Sequence, residues 1–365
     1  MKISIVTTSI HGPQFIQEYC KNLKEHNHEE EINFIVIGDN KTPEDKWKID
    51  FDYSVKFWSL YHQKEWFNSN KIENLVRFFP ENNPRRRNFG YIQALLNNPD
   101  IIISIDDDNL PDGDWLSGHI NALKSTHLES ISSNNIINPC EILDTNHKIF
   151  SRGYPISEIS IASFGYSPKR KIFKEPVVNL GLWSKSPDVD CLLNLVYPDI
   201  ESRGIEVGLP RNFSTNQYLP LNTQNISFKR EIAPIFWNVY MKDLFGLPFD
   251  RYDDIWNGLF INKICNHLGL PISFGDPISI HDRNVHNLIK DLQIEYIGIL
   301  LNSKLWKYVM NLQLKESDII GSYLELSNFI VKQEIFFNSE LKKYFKELGE
   351  SMKLWILILE KLKCI

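Results

Sequence analysis

The sequence predicts an α/β fold, in which a mostly parallel β-sheet is flanked by helices and followed by a helical C-terminal extension. In the first third, short β-branched runs alternate with helix-length amphipathic segments. After about Asn287 the chain is free of proline and keeps a helical periodicity to its end. We therefore predict two units: residues 1–290 contain the sheet, and residues 291–365 form the helical extension.

The first elements alternate between strand and helix. Two predicted strands with a predicted helix between them open the chain: KISIVTT, FIQEYCKNLKEH and INFIVIGD. A second predicted helix, RRNFGYIQALL, leads into the strand IIISI. Continuous β-branched runs are typical of parallel strands that are buried on both faces. Ligands of such sheets bind beyond the carboxyl ends of the strands, where Asp39 and Asp106 are both expected.

The remainder of the first unit is less regular. Residues 138–220 contain glycine, proline and serine scattered among short apolar runs, which indicates irregular structure. Strands are predicted again at residues 225–228 and 278–280, with a helix at residues 253–269 between them.

Composition excludes several classes of function. The 365 residues carry a formal net charge of −6 with a pI near 6.0, so no basic surface for nucleic acid is expected. The five cysteines are widely spaced without a CxxC pair, which argues against disulfides and a zinc site. No signal peptide, membrane span or strand followed by GxGxxG occurs. We expect a protein of the reducing cytoplasm that uses no flavin and binds no nucleic acid.

An acidic cluster, IDDDNLPDGD, follows the strand IIISI directly. If the strand continues, Asp106 and Asp108 share one face and Asp107 points away. A hard divalent cation would remove their mutual repulsion, and Mg²⁺ or Mn²⁺ suits carboxylate ligands. Asp112 and Asp114 belong to good turn chemistry and are assigned to a solvated turn. The spacing does not fit an EF-hand loop.

Seven stretches, in order, give this chain a family resemblance. They are RRNFGY, IDDD, RGYP, GLW followed by PDVD, RYDDIWNG, ICNHLGL and YLELS. Together they span about two-thirds of the chain, and the chain resembles the reversibly glycosylated polypeptides, the UDP-arabinopyranose mutase family. That resemblance implies a GT-A (Rossmann-like) fold and a UDP-sugar ligand bound with Mn²⁺ or Mg²⁺.

The resemblance also implies roles for individual residues on the nucleotide side. It assigns metal and ribose contacts to Asp106, Asp107 and Asp108, and uracil and ribose contacts to Asp39. His281, at the end of the run ISI, would be a further metal ligand. Arg87, at a helix start, would contact phosphate, whereas Arg85 and Arg86 are interpreted as a solvated basic helix start.

On the sugar side, the resemblance points to Arg152 in RGYP and to the acids of RYDDIWNG. Asp253 and Asp254 open a helix, where one carboxylate can cap N–H groups. The other, taken as Asp254, would act as a base or hydroxyl anchor. Arg152 is either a transient sugar acceptor or a cation that stabilises the diphosphate leaving group. Guanidinium is a poor nucleophile, and the second role requires no unusual pKa.

Other positions around the sugar depart from the family pattern. Trp183 and Tyr154 are candidate pocket walls, and Asn225 is kept within a changed stretch, LNTQN. The second arginine that follows the RGYP-like motif in the family is absent from ISEIS, and Leu180 replaces a histidine. Three functions therefore stay open: a UDP-sugar mutase, a metal-dependent glycosyltransferase acting on a glycan or protein acceptor, and a non-catalytic subunit. The C-terminal helices are candidates for homo- or hetero-oligomer contacts.

Overall fold

The structure is a computed structural model, and it describes residues 1–72, 78–131, 136–161, 168–172, 174–283, 287–332 and 338–365. Within these ranges the chain is an α/β protein in which one large mixed sheet is flanked by helices. This confirms the predicted class. The five cysteines are free thiols, all of them buried, as the spacing indicated.

Strands of the described residues join into a single sheet. They are β1 (Lys2–Ser9), β2 (Glu31–Gly38), β3 (Ser54–Trp58), β4 (Ile101–Ile105), β5 (Asn109–Pro111), β6 (Leu128–Ile131), β7 (Leu143–Thr145), β8 (Pro168–Ile172), β9 (Val178–Lys185), β10 (Ser202–Ile205), β11 (Asn212–Thr215), β12 (Asn225–Lys229) and β13 (Ile272–His281). Five of them, β7 to β11, lie in or next to the stretch that was expected to be irregular. That expectation was wrong. The glycine and serine residues of this stretch do not prevent strand formation, since β9, which contains Gly181 and Ser184, is an internal strand of the sheet.

The helices in the described ranges flank this sheet. They are α1 (Gln14–Glu25), α2 (Leu60–Ser69), α3 (Arg87–Leu96), α4 (Trp115–Lys124), α5 (Cys191–Val196), α6 (Asp253–Leu268), α7 (Leu288–Asn311), α8 (Ile319–Lys332) and α9 (Ser339–Lys361). The left-handed backbone of Gly269 ends α6, which is the usual helix stop. Within the part of the chain that the structure describes, none of the helices combines the length and apolarity needed to cross a bilayer.

The sheet order is β3-β2-β1-β4-β12-β9-β13-β11-β6-β8, and β5, β7 and β10 pair at its side. Strands β3, β2, β1 and β4 run parallel to one another, so their carboxyl ends share one edge. Strand β12 then runs antiparallel to both β4 and β9, while β9 and β13 are parallel. The carboxyl edge of β1, β2 and β4 is therefore where polar residues can meet a ligand.

The C-terminal helices share the main hydrophobic core with the sheet. Trp355 of α9 stacks on Trp237 with ring centroids 5.3 Å apart, and its indole N–H donates to Pro234 O. The indole N–H of Trp237 donates to the hydroxyl of Tyr323 on α8. Helix α7 packs on α5 and α6, next to the segments that carry the site described below.

Candidate active site

A cleft lies at the carboxyl edge of β1, β2 and β4, and it has two connected chambers. The larger has a volume of about 440 Å³ and the smaller about 270 Å³. They share Thr8, Asn82, Asn83, Pro84 and Asp107 as lining residues. An elongated polar ligand could therefore occupy both chambers at once.

Asp39, at the end of β2, lines the smaller chamber as expected from its position. Its carboxylate accepts hydrogen bonds from the backbone N–H of Asn40 at 2.8 Å and of Asn83 at 3.3 Å. Its own N–H donates to the hydroxyl of Thr42 at 2.7 Å, which in turn donates to the carbonyl of Ser9. This network holds the carboxylate in a fixed place at the chamber wall.

The acidic turn, defined as Asp106, Asp107 and Asp108, lines the larger chamber with all three residues. The expectation that Asp107 points away from the other two was wrong, because β4 ends at Ile105 and the triplet forms a turn. Strand alternation does not apply in a turn. The hydroxyl of Ser9 donates to Asp107 at 2.7 Å.

Charge repulsion is built into the acidic turn. Burial raises the pKa of Asp107, and the neighbouring Asp106 and Asp108 raise it further, against the hydrogen bond from Ser9. Burial alone would lower the pKa of His281, but Asp108 beside it raises that pKa above its ordinary value. His281 Nε2 and Asp108 Oδ2 are 3.6 Å apart.

The donor types at this turn suit a divalent cation. His281 Nδ1 lies 2.5 Å from Ser186 O, and a proton on that nitrogen leaves Nε2 free to act as a ligand beside Asp108. Among the described residues, no three or more His, Cys, Asp or Glu side chains already surround one metal position. Mg²⁺ and Mn²⁺ usually take one or two carboxylates and complete their coordination with water and substrate phosphates. Asp106, Asp108 and His281 are the residues that would hold such an ion.

Arg87 begins α3 and is buried against the acidic turn. Its guanidinium pairs with Asp106 and donates to Thr223 O at 2.9 Å and to Ile105 O at 3.2 Å. Burial opposes its charge, but Asp106 more than compensates and raises the pKa of Arg87. Arg87 therefore stays charged at the wall of the larger chamber.

Arg85 and Arg86 are not the solvated helix start that was expected, since both are buried. Arg86 donates to Gln63 Oε1 at 2.6 and 3.1 Å and to Phe79 O at 2.9 Å. Arg85 donates to Met241 O at 3.0 Å. The prediction failed because α3 starts inside the protein, where each guanidinium satisfies carbonyl groups of neighbouring loops.

Arg152 forms the arginine clamp, defined as Arg152 with Asp188 and Asp254. Its Nε lies 3.0 and 3.1 Å from the two carboxylate oxygens of Asp188. Its Nη1 and Nη2 donate to Asp254 at 3.0 and 2.8 Å, and Nη1 also donates to Arg251 O at 2.6 Å. Burial opposes its charge, but the two carboxylates outweigh this and raise the pKa of Arg152 well above its ordinary value. The guanidinium is thus a fixed, permanently charged group of the larger chamber.

One of the two acids at the start of α6 was expected to bind free N–H groups of the helix. Neither acid is the N-cap residue, but Asp254 accepts a hydrogen bond from the backbone N–H of Ile255 at 2.9 Å. The N-cap residue is Tyr252, without a side-chain capping bond. Asp254 is engaged with Arg152, and Asp253 accepts a hydrogen bond from Asn238 at 2.9 Å. Burial, reinforced by Asp254 and Asp250, raises the pKa of Asp253 to about 7. Both acids face the cavity because the chain folds the helix start into the site.

The structure places Trp183, Tyr154 and Asn225 away from the cavity lining. Trp183 lies in β9, between β12 and β13, and is fully buried. Asn225 is a buried residue of β12 that donates to the carbonyls of Leu182 and Pro277. The expectation for Trp183 and Asn225 was wrong because β9 and β12 are internal strands, so these two side chains are buried within the protein.

Sequence reasoning missed four charged residues of the larger chamber: Asp188, Asp250, Arg251 and Arg283. Asp188 lies in the quoted stretch PDVD and Arg251 in RYDDIWNG, so the motifs contained them without indicating their partners. Their roles depend on contacts between distant segments, such as the 36 residues between Arg152 and Asp188. His286, a lone histidine of the kind that is more often structural than a ligand, lies outside the described residues.

The fold and the cleft define an α/β protein with a cleft lined by charged and polar residues at the carboxyl edge of its parallel strands. The chain belongs to the reversibly glycosylated polypeptide family, whose sequence model matches residues 2–364. This confirms the resemblance drawn from its motifs.

Individual relatives agree with this assignment. The chain is 30% identical to UDP-arabinopyranose mutase 2 of Arabidopsis thaliana over 276 residues, which cover 74% of this chain and 70% of that protein. It is 31% identical to a probable UDP-arabinopyranose mutase 1 of Solanum tuberosum, over 74% of this chain and 69% of the relative. A mycobacterial protein of known crystal structure aligns with a TM-score of 0.37 and 12% identity, over 82% of this chain and 73% of that one. That likeness is too distant to support an argument.

Proposed function

We propose that this protein is a metal-dependent UDP-sugar mutase that interconverts the pyranose and furanose forms of a UDP-linked sugar such as arabinose. The names of its relatives support the class of reaction. The observation that carries the proposal is the arginine clamp, a buried guanidinium held between two carboxylates in the same chamber as the acidic turn.

The two chambers suggest how a UDP-sugar lies in the cleft. Uracil and ribose would occupy the smaller chamber beside Asp39, and the diphosphate would lie at the acidic turn, whose Asp107 borders both chambers. The sugar would then extend into the larger chamber, toward Arg152 and Asp253. This order follows the connectivity of the ligand, because the diphosphate joins the nucleoside to the sugar.

The charge of the larger chamber supports the need for a cation. Seven carboxylates line it, namely Asp106, Asp107, Asp108, Asp188, Asp250, Asp253 and Asp254. Four guanidinium groups oppose them, namely Arg87, Arg152, Arg251 and Arg283. With every group ionised, an excess of three negative charges would repel a diphosphate. A divalent ion held by Asp106, Asp108 and His281 would neutralise charge on the leaving diphosphate.

The state of Arg152 favours one of its two suggested roles. A sugar acceptor would need a neutral nitrogen, but the two carboxylates hold the proton on the guanidinium. The charged group instead stabilises negative charge that develops when the anomeric C–O bond breaks and UDP leaves. The UDP oxygen then attacks C1 again after the sugar has changed its ring form.

Asp253 has the properties needed for the ring change. In converting a pyranose to a furanose, the C4 hydroxyl becomes the ring oxygen and the former ring oxygen becomes the C5 hydroxyl. One proton must therefore leave O4 and one must reach O5. A carboxyl whose pKa is about 7 can accept and return such a proton near neutral pH.

Incubation of the purified chain with UDP-arabinopyranose and Mn²⁺, without an acceptor, tests the proposal. Chromatography should show UDP-arabinofuranose, and EDTA should abolish it, with recovery when Mn²⁺ is restored. Asp108→Asn should weaken Mn²⁺ binding, so that a higher Mn²⁺ concentration is needed for half-maximal activity. Asp112→Asn, at an exposed position of the following turn, is the matched control. Absence of furanose product with Mn²⁺ present would refute a mutase. Sugar transfer only when a glycan or protein acceptor is added would instead identify a glycosyltransferase.

A further inference from the structure

Two separate segments supply the carboxylates that hold Arg152. Asp188 lies in the loop between β9 and α5, and Asp254 lies at the start of α6. The backbone of the second segment also contributes, because Arg251 O accepts a hydrogen bond from Arg152 Nη1 at 2.6 Å. The position of the guanidinium therefore depends on how these two segments are fixed relative to each other.

Glu295 of α7 contacts both segments. Its Oε1 lies 2.9 Å from Arg251 Nε, and its Oε2 accepts a hydrogen bond from the backbone N–H of Cys191 at 3.0 Å. Cys191 follows Asp188 by three residues and begins α5. The side chain of Glu295 is only 2% exposed, whereas that of Arg251 is 32% exposed. One buried carboxylate thus joins the two loops that enclose Arg152.

Arg251, which joins Glu295 to Arg152, has an uncommon backbone conformation. Its φ is +62°, in the left-handed region that side chains other than glycine seldom adopt. Its side chain pairs with Glu295 and lies 3.5 Å from Asp291, both on α7. The carbonyl of the same residue accepts the hydrogen bond from Arg152 Nη1, so the residue that α7 holds by ion pairs also contacts the guanidinium.

We propose that Glu295 is a positioning residue, which sets the place of the Arg152 guanidinium through Arg251 and the N-terminus of α5. It touches neither the cavity nor a substrate, since it is absent from the residues that line the cleft. Helix α7, which crosses the predicted boundary at residue 290, is then a part of the active-site framework. Its consequence for turnover depends on the proposed function, whereas its consequence for Arg152 does not.

Glu295→Gln tests the inference, because it keeps an acceptor for Cys191 N–H but removes the charge that holds Arg251. We expect kcat for the UDP-sugar to fall by about 10-fold or more, since displacing a catalytic group by a fraction of an ångström has effects of this size. KM should change less than about threefold if ground-state binding is unaffected. The matched control is Glu158→Gln, which also breaks a Glu pair to α7, with Lys307 at 2.7 Å, away from the cleft. It should keep kcat within about twofold.

A second measurement needs no activity. Reaction of Arg152 with an arginine-specific dicarbonyl reagent, followed by mass spectrometry, should be slow in the parent protein because the side chain is 6% exposed. Glu295→Gln should accelerate it by about fivefold or more, and Glu158→Gln should leave it unchanged. If the parent protein turns over no UDP-sugar, the proposed function fails while this labelling still decides the positioning role.

Two further variants guard against misfolding and indirect effects. Arg251→Gly removes the anchor while suiting the left-handed backbone, so it should fold and should reproduce the faster labelling. Adding Glu295→Gln to Arg152→Lys should cost no further activity, because a residue that acts only through Arg152 has nothing left to position. Unchanged labelling in both Glu295→Gln and Arg251→Gly, or full additivity in the double variant, would overturn the inference.

Discussion

The acidic turn and the arginine clamp line the same chamber but are constructed in opposite ways. In the turn, three consecutive carboxylates have Arg87 and His281 as partners, and the side chains of Asp106 and Asp108 remain 30% and 15% exposed. In the clamp, one guanidinium lies between two carboxylates, with all three side chains 6–7% exposed. The turn places three carboxylates side by side, whose charge an exchangeable cation can balance, whereas the clamp is a permanent and desolvated group of one guanidinium and two carboxylates.

This difference separates binding from turnover. The acidic turn, whose charge an exchangeable cation balances, suits the binding and release of a cation and a nucleotide. The arginine clamp, which is fixed by buried ion pairs, suits the stabilisation of transition-state charge without reorganisation of the protein. Changes to the clamp should therefore alter kcat, and changes to the turn should alter affinity for the cation and nucleotide.

The largest expected effect comes from breaking the clamp with Asp188→Asn. Arg152 would keep Asp254, but its Nε would lose a charged partner and one of two acceptor oxygens, and the new amide NH2 could not accept the hydrogen bond from Asn222, so the guanidinium would move or tilt. We expect kcat to fall by about 100-fold, and the free energy of unfolding to fall by roughly 2–3 kcal/mol, since half of a buried ion pair is lost. Initial rates and urea unfolding measure the two effects.

The control for that variant is Asp199→Asn, which disrupts an ion pair with His147 in which Asp199 is 71% exposed. Exposed pairs contribute little, so both measurements should stay near those of the parent protein. A parent-like kcat for Asp188→Asn would show that the clamp has no part in turnover.

The same contrast explains what the sequence could predict. The acidic turn is contiguous, so its three carboxylates are visible as a motif after a strand, and Asp39 could be placed from its strand end alone. The clamp joins residues that are 36 and 102 positions apart, and no local pattern states which acids will meet Arg152. The burial of Arg85 and Arg86 was also invisible, because a basic run looks the same in water and among carbonyl groups of distant loops.

An intermediate effect is expected for Asp253→Asn, which removes a chamber carboxyl whose pKa is raised to about 7. If Asp253 transfers the proton of the ring change, the rate at pH 7 should fall by about 10-fold or more. The same substitution should make the free energy of unfolding less sensitive to pH. Burial raises the folded-state pKa above its ordinary value, so as pH rises the unfolded chain loses this proton first, and stability falls between about pH 4 and pH 7. Asparagine cannot titrate, so the variant should lose less stability between pH 5 and pH 8.

Glu141→Gln is a matched control for this pair of effects. Burial also raises the pKa of Glu141 to about 7, but Glu141 is not among the residues that line the cleft. It should share the flatter dependence of unfolding on pH and keep its turnover rate. Equal losses of rate in the two variants would mean that the rate responds to stability and not to proton transfer by Asp253.

The smallest effect is expected for Trp183→Phe, which tests the boundary between the chamber and the core. The motif GLW suggested an aromatic pocket wall, but Trp183 lies inside β9, and its buried indole N–H has no hydrogen-bond partner among the described residues. Phenylalanine removes that unpaired donor and leaves a small void, so the two changes offset each other in part, and unfolding free energy should shift by no more than about 1–2 kcal/mol. Steady-state kinetics should give kcat and KM within about twofold of the parent protein. A KM for the sugar nucleotide raised tenfold would instead place Trp183 against the ligand, and the chamber that Arg152 lines would then have to open into the core when substrate binds.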